Sequence, residues 1–197
     1  MPFVMASGGS RAGGNVELVT APDTYITDVM RGLVGQTMST QVAFPIDPSD
    51  IRRWATAVYY PRVPPRQFWD EKFARITVWG GIVAPEEFNP FSWMTVDPAP
   101  VDAYVGGGRD RRWGDFEREL GVEPPPYRAV LQGQVIAHYS DVRMRPGDVI
   151  RSRTYISEYF ERTGRMGLQL YTTISVDFTN QRDEWIKRLD TVFIRYE

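Results

Sequence analysis

The sequence contains no cysteine and only one histidine, His138. A chain without cysteine forms no disulfide and offers no thiolate to a metal ion, and a single histidine is too few for the usual zinc sites. We therefore predict no metal site and no cofactor.

The sequence also lacks a surplus of positive charge and any long apolar run. Its formal net charge is -2, whereas proteins that bind nucleic acid or anionic membranes usually present a basic surface. No run reaches the roughly 18 apolar residues of a membrane span, and the N-terminus lacks the pattern of a secretory signal. We predict a cytoplasmic protein that binds neither nucleic acid nor membrane.

What the chain does contain is typical of one globular domain. It has 197 residues, of which 42% are hydrophobic and 13% aromatic, enough for a single well-filled core. The glycine-rich residues 1–15 are predicted to form a flexible tail, and residues 16–197 a single domain. A polar connection at 95–126 is long for a compact domain, which is typical of functional loops.

Two helix starts stand out. Asp47 is a good N-cap, Pro48 suits the first helical position, and the apolar residues that follow recur at helical spacing: Ile51, Trp54, Ala55 and Val58. A second helix is predicted to begin near Ala84, because Pro85 is followed by two acids. Its apolar neighbours occupy too many faces for a surface helix, which predicts a central, buried one.

The C-terminal half alternates with a period of two. Strands are predicted at 129–139, 149–160, 168–178 and 185–196, after a first strand at 33–44, and the turns RTGRMG and TNQRDE favour antiparallel neighbours. The predicted class is α+β, with an antiparallel β-sheet wrapped around a central α-helix, which is the hot-dog fold.

Six segments carry a resemblance to a known family: FPIDPSDIRRWA, DEKFAR, WGGIVAP, RPGDVI, RTGRMGL and TNQRDE. In this order they resemble the MaoC-like hydratases and dehydratases, in particular the N-terminal-half type, over residues 30–197. The resemblance implies a hot-dog fold and acyl thioesters of coenzyme A or acyl carrier protein as substrates. It also implies reversible addition of water to a trans-2-enoyl group.

The chain departs from the family's catalytic pattern, an aspartate and a histidine after the first helix. Matching Asp70 to the family's last aspartate places Phe68 at the histidine position, and matching Tyr60-Pro61 to its Asn-Pro places Val58 at the catalytic aspartate. Neither Phe68 nor Val58 transfers a proton. We therefore predict no catalytic residue in this chain.

A second departure concerns the backbone N–H that polarises the thioester carbonyl in the family. Aligning Ile82 with the isoleucine of the family's I-x-H-G pattern places Ala84 at the histidine and Pro85 at the glycine, and proline has no N–H to donate. The chain thus resembles a non-catalytic subunit that shapes the acyl pocket. Its implied partner is a MaoC-like catalytic subunit, in a heterodimer or heterotetramer whose sheets join edge to edge.

Candidate substrate-binding residues fall into two groups. One is the segment from Trp79 to Ala84, where glycines allow close approach of an acyl chain: Trp79, Gly80, Gly81, Ile82, Val83 and Ala84. The other is an arginine cluster beside Gly106 to Gly108, suited to phosphates of coenzyme A: Arg109, Arg111 and Arg112.

Two other functions fit the same sequence. One is a self-sufficient hot-dog hydratase or thioesterase that uses His138 or an acid from the 95–126 loop, although the ordinary interpretation of His138 is a packed or hydrogen-bonded residue on a sheet face. The other is a non-catalytic dimer that binds an acyl or polycyclic ligand. The long loop favours a bulky acyl group, such as a sterol or terpenoid side chain, in steroid or other lipid metabolism.

Overall fold

A computed structural model describes residues 23–92 and 113–196. The predicted tail at 1–15 lies outside these residues, as do most of the predicted loop and the three arginines Arg109, Arg111 and Arg112. The helices are α1 (Asp28–Leu33), α2 (Pro48–Tyr59) and α3 (Glu71–Ala74), and the strands are β1 (Thr37–Val42), β2 (Ala129–Tyr139), β3 (Arg151–Gly164), β4 (Gly167–Thr179) and β5 (Trp185–Tyr196). Short 3-10 helices occupy Arg66–Phe68, Pro90–Ser92 and Phe116–Leu120.

The five strands form one antiparallel sheet in the order β1-β3-β4-β5-β2. This confirms the predicted antiparallel neighbours in the C-terminal half. The first strand is shorter than predicted, because Leu33 ends helix α1 and Gly35 turns the chain with a φ of +81°. The β3–β4 hairpin is a tight one, since Gly164 pairs with Gly167 across only two residues.

Alternation along the strands gives the sheet two different faces. On β4, Phe178 and Ile174 belong to the hydrophobic core, whereas Asp177 and Ser175 point the opposite way. We call the face that bears Phe178 the inner face and the face that bears Asp177 the outer face. Helix α2 packs over the inner face, with Ile51 and Ala55 in the same cluster as Phe178.

Helix α2 begins where the sequence predicts. The Asp47 side chain accepts a hydrogen bond from the backbone N–H of Ser49, and Asp50 bonds back to the Asp47 backbone, forming a capping box. This arrangement satisfies backbone donors that the first helical turn leaves without partners.

The predicted helix at Pro85 is wrong. Residues 82–89 contain no helix, and only a 3-10 helix at Pro90–Ser92 follows. An α-helix would direct the Glu86 carbonyl to the N–H of residue 90, but that residue is proline and has no N–H. The Glu86 carbonyl instead accepts a hydrogen bond from the ammonium group of Lys187. Among the described helices, α2 packs over the inner face beside Phe178, and α1 packs near Ile174 through Leu33.

The segment from Trp113 to Tyr127 is fastened to the sheet by a buried polar cluster. This segment contains the 3-10 helix Phe116–Leu120. Its Glu117 is bound by Arg195 of β5 and accepts a hydrogen bond of 2.9 Å from the hydroxyl of Tyr159 on β3. Arg195 also donates to Thr172 of β4 and to the carbonyl of Gly114. One side-chain cluster therefore ties this segment to three strands.

Among the described residues, no helix combines the length and apolar character needed to cross a lipid bilayer.

Candidate functional site

A cleft of about 220 Å³ opens between the chain that follows α2 and the segment around Pro85. The residues that line it are Tyr59, Gln67, Phe68, Trp79, Val83, Ala84, Pro85, Glu86, Glu87 and Arg143. Its walls are aromatic and aliphatic on one side and charged on the other. This composition suits a ligand with an apolar part and a polar head.

The aromatic wall comes from the end of α2 and the loop after it. Tyr59 is the last residue of α2, and its ring lies 6.0 Å from the ring of Phe68, which is buried. Phe68 occupies the position that the MaoC resemblance assigns to a histidine, and its side chain does face the cleft. Val58, at the position assigned to the aspartate, is exposed on α2. Phe68, which the resemblance aligns with a histidine, is thus among the residues that line the cleft.

The charged wall is built around Arg143. Its guanidinium lies 5.1 Å from the centre of the Trp79 ring, forms an ion pair with Glu86 and donates to the carbonyl of Ser140. The neighbouring Arg145 donates to the carbonyl of Trp79 at 2.7 Å. Since the guanidinium of Arg143 is held by both an aromatic face and a carboxylate, its orientation is fixed without a ligand.

Lys187 of β5 supports the same wall from behind. Its ammonium group donates to the carbonyls of Glu86 and Phe88, at 3.0 and 2.8 Å, and lies 5.0 Å from the centre of the Phe178 ring. The residue is only 2% exposed, and burial lowers the pKa of Lys187 to about 8. The turn that carries Glu86 is thus fastened to the sheet by a buried cation.

Four positions along this wall, Val83, Ala84, Pro85 and Phe88, have a backbone N–H that is already bonded or have none. The N–H of Val83 donates to the carbonyl of Gln67, and that of Ala84 to the carbonyl of Met144 at 2.8 Å. Pro85 has none, and the N–H of Phe88 closes a turn on the carbonyl of Pro85. None of these four positions offers an N–H to a substrate carbonyl.

The structure places the sequence-predicted segment at the cleft only in part. Trp79, Val83 and Ala84 line it, whereas Gly80, Gly81 and Ile82 are not among the lining residues. Gly80, with a φ of +65°, turns the chain instead. Contact of any of these residues with a ligand stays a prediction.

Sequence reasoning missed Arg143 and Lys187. Both act on the segment around Glu86 from positions at least 57 residues away in the chain. The only signal was the basic character of RMRPGD and of the strand that contains Lys187, and a basic residue in a strand is ordinarily taken to be exposed.

His138 lies on the outer face, away from the cleft. It pairs across the sheet with Arg188, and its Nε2 is 2.9 Å from a carboxylate oxygen of Asp190. The other oxygen of Asp190 accepts from the buried hydroxyl of Ser175 at 2.6 Å. His138 is thus hydrogen-bonded on a sheet face, as predicted. Its acidic partner went unnoticed because the two residues are 52 positions apart and meet only once β2 and β5 pair.

Comparison with protein families gives a match to the FAS1-like, dehydratase domain region over residues 32–189. Comparison with the sequences of curated proteins gives no significant match.

Among solved structures, the ChsH1-ChsH2 complex from Mycobacterium tuberculosis is similar, with a TM-score of 0.51 and 16% identity over 80% of this chain and 83% of that chain. A MaoC-like dehydratase from Rhodospirillum rubrum gives a TM-score of 0.47 and 17% identity, over 81% and 91% of the two chains. With the strand order described above, the first similarity confirms the hot-dog fold.

Proposed function

Because the chain belongs to the FAS1-like dehydratase domain region family, we propose that it is a subunit of a heteromeric enoyl-thioester hydratase, or 3-hydroxyacyl dehydratase, and shapes the acyl pocket without supplying the proton-transfer groups. The family membership confirms the dehydratase resemblance found in the sequence. The substrate in this proposal is a trans-2-enoyl thioester of coenzyme A or of acyl carrier protein. The acidic and imidazole groups that move the proton come from a second hot-dog subunit.

The observation that carries the proposal concerns the proton-transfer groups and backbone donors at the cleft. In the alignment that the resemblance implies, Phe68 takes the histidine position. In the structure, the N–H of Ala84 donates to the carbonyl of Met144, and Pro85 has no N–H. Hydration needs a group that takes a proton from water and a donor that stabilises the developing enolate oxygen. The cleft offers neither an imidazole nor a backbone donor at these positions, but its apolar wall can contact an acyl chain.

The partner is proposed to bind along β2, which is an edge of the sheet. Leu131 and Val135 on this strand are each 51% exposed, and no charged residue occurs between Ala129 and Ala137. Long edge strands of soluble proteins usually carry charges that discourage pairing. An uncharged edge that is apolar on both faces suits a strand from another hot-dog subunit. The similar ChsH1-ChsH2 structure is itself a complex.

Reconstitution tests the proposal. The tagged chain is purified from its own cells, the hot-dog protein that accompanies it in equal amount is identified, and both are expressed alone and together. Loss of enoyl absorbance is then followed with crotonyl-CoA. We expect turnover by the mixture and none by this chain alone. Brisk turnover by the pure chain would overturn the proposal.

Replacing Trp79 by Ala provides a second measurement. If this chain shapes the acyl pocket, the variant changes the KM of the mixture for longer acyl groups more than its kcat, because the lost contact acts on binding in both the ground state and the transition state. A change confined to kcat would contradict the proposed role.

The contact between His138 and Asp190 favours a second candidate, a self-sufficient hydratase. In this arrangement the carboxylate orients the imidazole, as it does for many general bases. The pure chain would then turn over crotonyl-CoA, and His138→Ala would abolish the activity.

A further inference from the structure

The exposed side of α2 carries a shallow trough of about 500 Å³. It is lined by Arg52, Arg53, Thr56, Ala57 and Tyr60, and we call this surface the α2 basic face. The two arginines lie at one end, the tyrosine lies one residue beyond the other end of the helix, and the two small residues lie between them. Residues four apart share a helix face, so Arg52, Thr56 and Tyr60 form one row and Arg53 and Ala57 the next.

Positive charge exceeds negative charge around this face, where Asp47 and Asp50 at the start of α2 are the acidic neighbours of Arg52 and Arg53. From Ile51 to Trp69 the chain has four arginines and no acidic residue. Arg66 forms an ion pair with Asp70 at 2.6 Å. The guanidinium of Arg53 is 3.9 Å from the carboxylate of Asp50, and that carboxylate also accepts the capping-box hydrogen bond from the Asp47 backbone. Within residues 23–92 and 113–196, Arg52 and Arg62 form no ion pair. The whole chain has a net charge of -2, so the excess of positive charge between Ile51 and Trp69 is local.

The face adjoins the candidate cleft. Tyr60, which is 81% exposed, follows directly after Tyr59, which lines the cleft. A partner held on the α2 basic face therefore lies beside the opening into which a thioester would enter. A surface that combines an exposed aromatic ring with arginines has the composition expected of a protein-binding surface.

We propose that the α2 basic face docks an acidic helix of the carrier protein that delivers the acyl thioester. The inference rests on the proposed function and selects a carrier protein over free coenzyme A. Thr56 and Ala57 are small enough for a second helix to approach closely, and carboxylates on that helix reach the guanidinium groups of Arg52 and Arg53. Tyr60 supplies the apolar contact. A nucleotide phosphate would pair with the two arginines but would leave the surface of Thr56 and Ala57 without a contact.

The test is a binding measurement with the assembled heteromer and a purified acyl carrier protein loaded with a crotonyl group. Affinity is measured at low and physiological salt for the wild type, for Arg52→Glu/Arg53→Glu and for Tyr60→Ala. Arg165→Glu/Arg162→Glu is the control, because these arginines are exposed near the β3–β4 turn and the control makes the same charge change. Circular dichroism checks that each variant keeps its fold.

We expect the double reversal at Arg52 and Arg53 to weaken carrier binding by about tenfold or more at low salt and to flatten its salt dependence, with a smaller loss for Tyr60→Ala. The control should stay within about twofold of the wild type. An equal loss in the control, or no carrier binding by the wild type, overturns the inference.

Parallel turnover of crotonyl-CoA separates the two hypotheses. Unchanged crotonyl-CoA kinetics in the Arg52→Glu/Arg53→Glu variant, with carrier binding lost, supports protein docking. If the variant loses turnover of crotonyl-CoA to the same extent, the face binds nucleotide phosphates, and the inference of carrier docking is overturned. If the heteromer binds the carrier but turns over neither thioester, the proposed function fails while the docking surface stands.

Discussion

Arg195 and Glu117 form a bidentate ion pair in the interior, with nitrogen-to-oxygen distances of 2.6 and 2.7 Å and side chains 1% and 0% exposed. The arginine belongs to β5 and the glutamate to the segment that follows residue 112. Two charges at this depth are tolerated because each compensates the other and because Thr172, Tyr159 and Gly114 provide further hydrogen bonds. The Nε of Arg195 is the one nitrogen of this guanidinium without a hydrogen-bond partner among the described residues.

Removing one partner of this pair should therefore be costly. We expect Glu117→Gln to lower the free energy of unfolding by about 3 to 5 kcal/mol, because it leaves the Arg195 charge buried and uncompensated. Urea unfolding at neutral pH measures the loss. The double variant Glu117→Leu/Arg195→Met should lose much less than Glu117→Gln, and a larger loss in the double variant would contradict this account.

Lys187 should make stability depend on pH in the alkaline range. Its pKa is about 8 in the folded protein and about 10.5 when exposed, so between these values the unfolded chain binds more protons and stability rises with pH. Below pH 8 both states are charged and the cost of burying the cation is fully present. Relative to Lys187→Met, the wild type should gain about 2 kcal/mol between pH 7 and pH 9.5. Equal slopes for the two proteins in urea unfolding would refute the assignment.

The capping box of α2 gives a smaller, more local effect. Asp47→Ala removes the oxygen that accepts from Ser49 and should destabilise the protein by about 1 kcal/mol, seen as a lower midpoint in thermal unfolding. Asp47→Asn keeps an acceptor at this position and should retain most of the stability. If the two variants melt at the same temperature, the cap does not contribute as described.

The β2 edge can be tested by placing a charge on it. Val135→Lys should weaken association with the partner subunit, because the ammonium group would have to be desolvated between two strands. Met166→Lys is the matched control, since Met166 is also 51% exposed but lies at the tip of the β3–β4 hairpin. Analytical ultracentrifugation of the mixed subunits gives both affinities. Equal weakening by the two variants would exclude β2 as the interface.

The position of His138 on the outer face separates the two candidate functions. If the partner supplies the proton-transfer groups, His138→Ala should leave kcat of the heteromer within about twofold of the wild type. The imidazole touches Asp190 and not the cleft, so its removal alters no group near Glu86 or Trp79. A large fall in kcat, with the fold intact by circular dichroism, would favour the self-sufficient enzyme.

Features that depend on neighbouring residues were predictable from the sequence. The cap at Asp47, the turn at Arg165-Met166 and the alternation from Leu168 to Phe178 all depend on local backbone and side-chain chemistry. Local signals mislead at Pro85, because the residues after it favour a helix start while the second proline, Pro90, removes a backbone donor that the helix would need.

Features that depend on chain folding were not predictable. Lys187 contacts the carbonyls of Glu86 and Phe88 across about a hundred residues, and Arg195 meets Glu117 across 78. Such pairs form only after the strand register is known, since a shift by one residue would turn each side chain to the other face. The MaoC resemblance supplied the fold, but the basic character of the strand that contains Lys187 does not tell where its ammonium group lies.

The contact between Lys187 and the turn at Glu86 also bears on when the cleft becomes competent. The wall is translated early, whereas the side chain that anchors it belongs to β5, about a hundred residues later. A nascent chain that has not yet released β5 from the ribosome cannot complete this wall of the cleft. Subunit pairing during synthesis would therefore have to await β5, and earlier encounters would meet an unfinished surface.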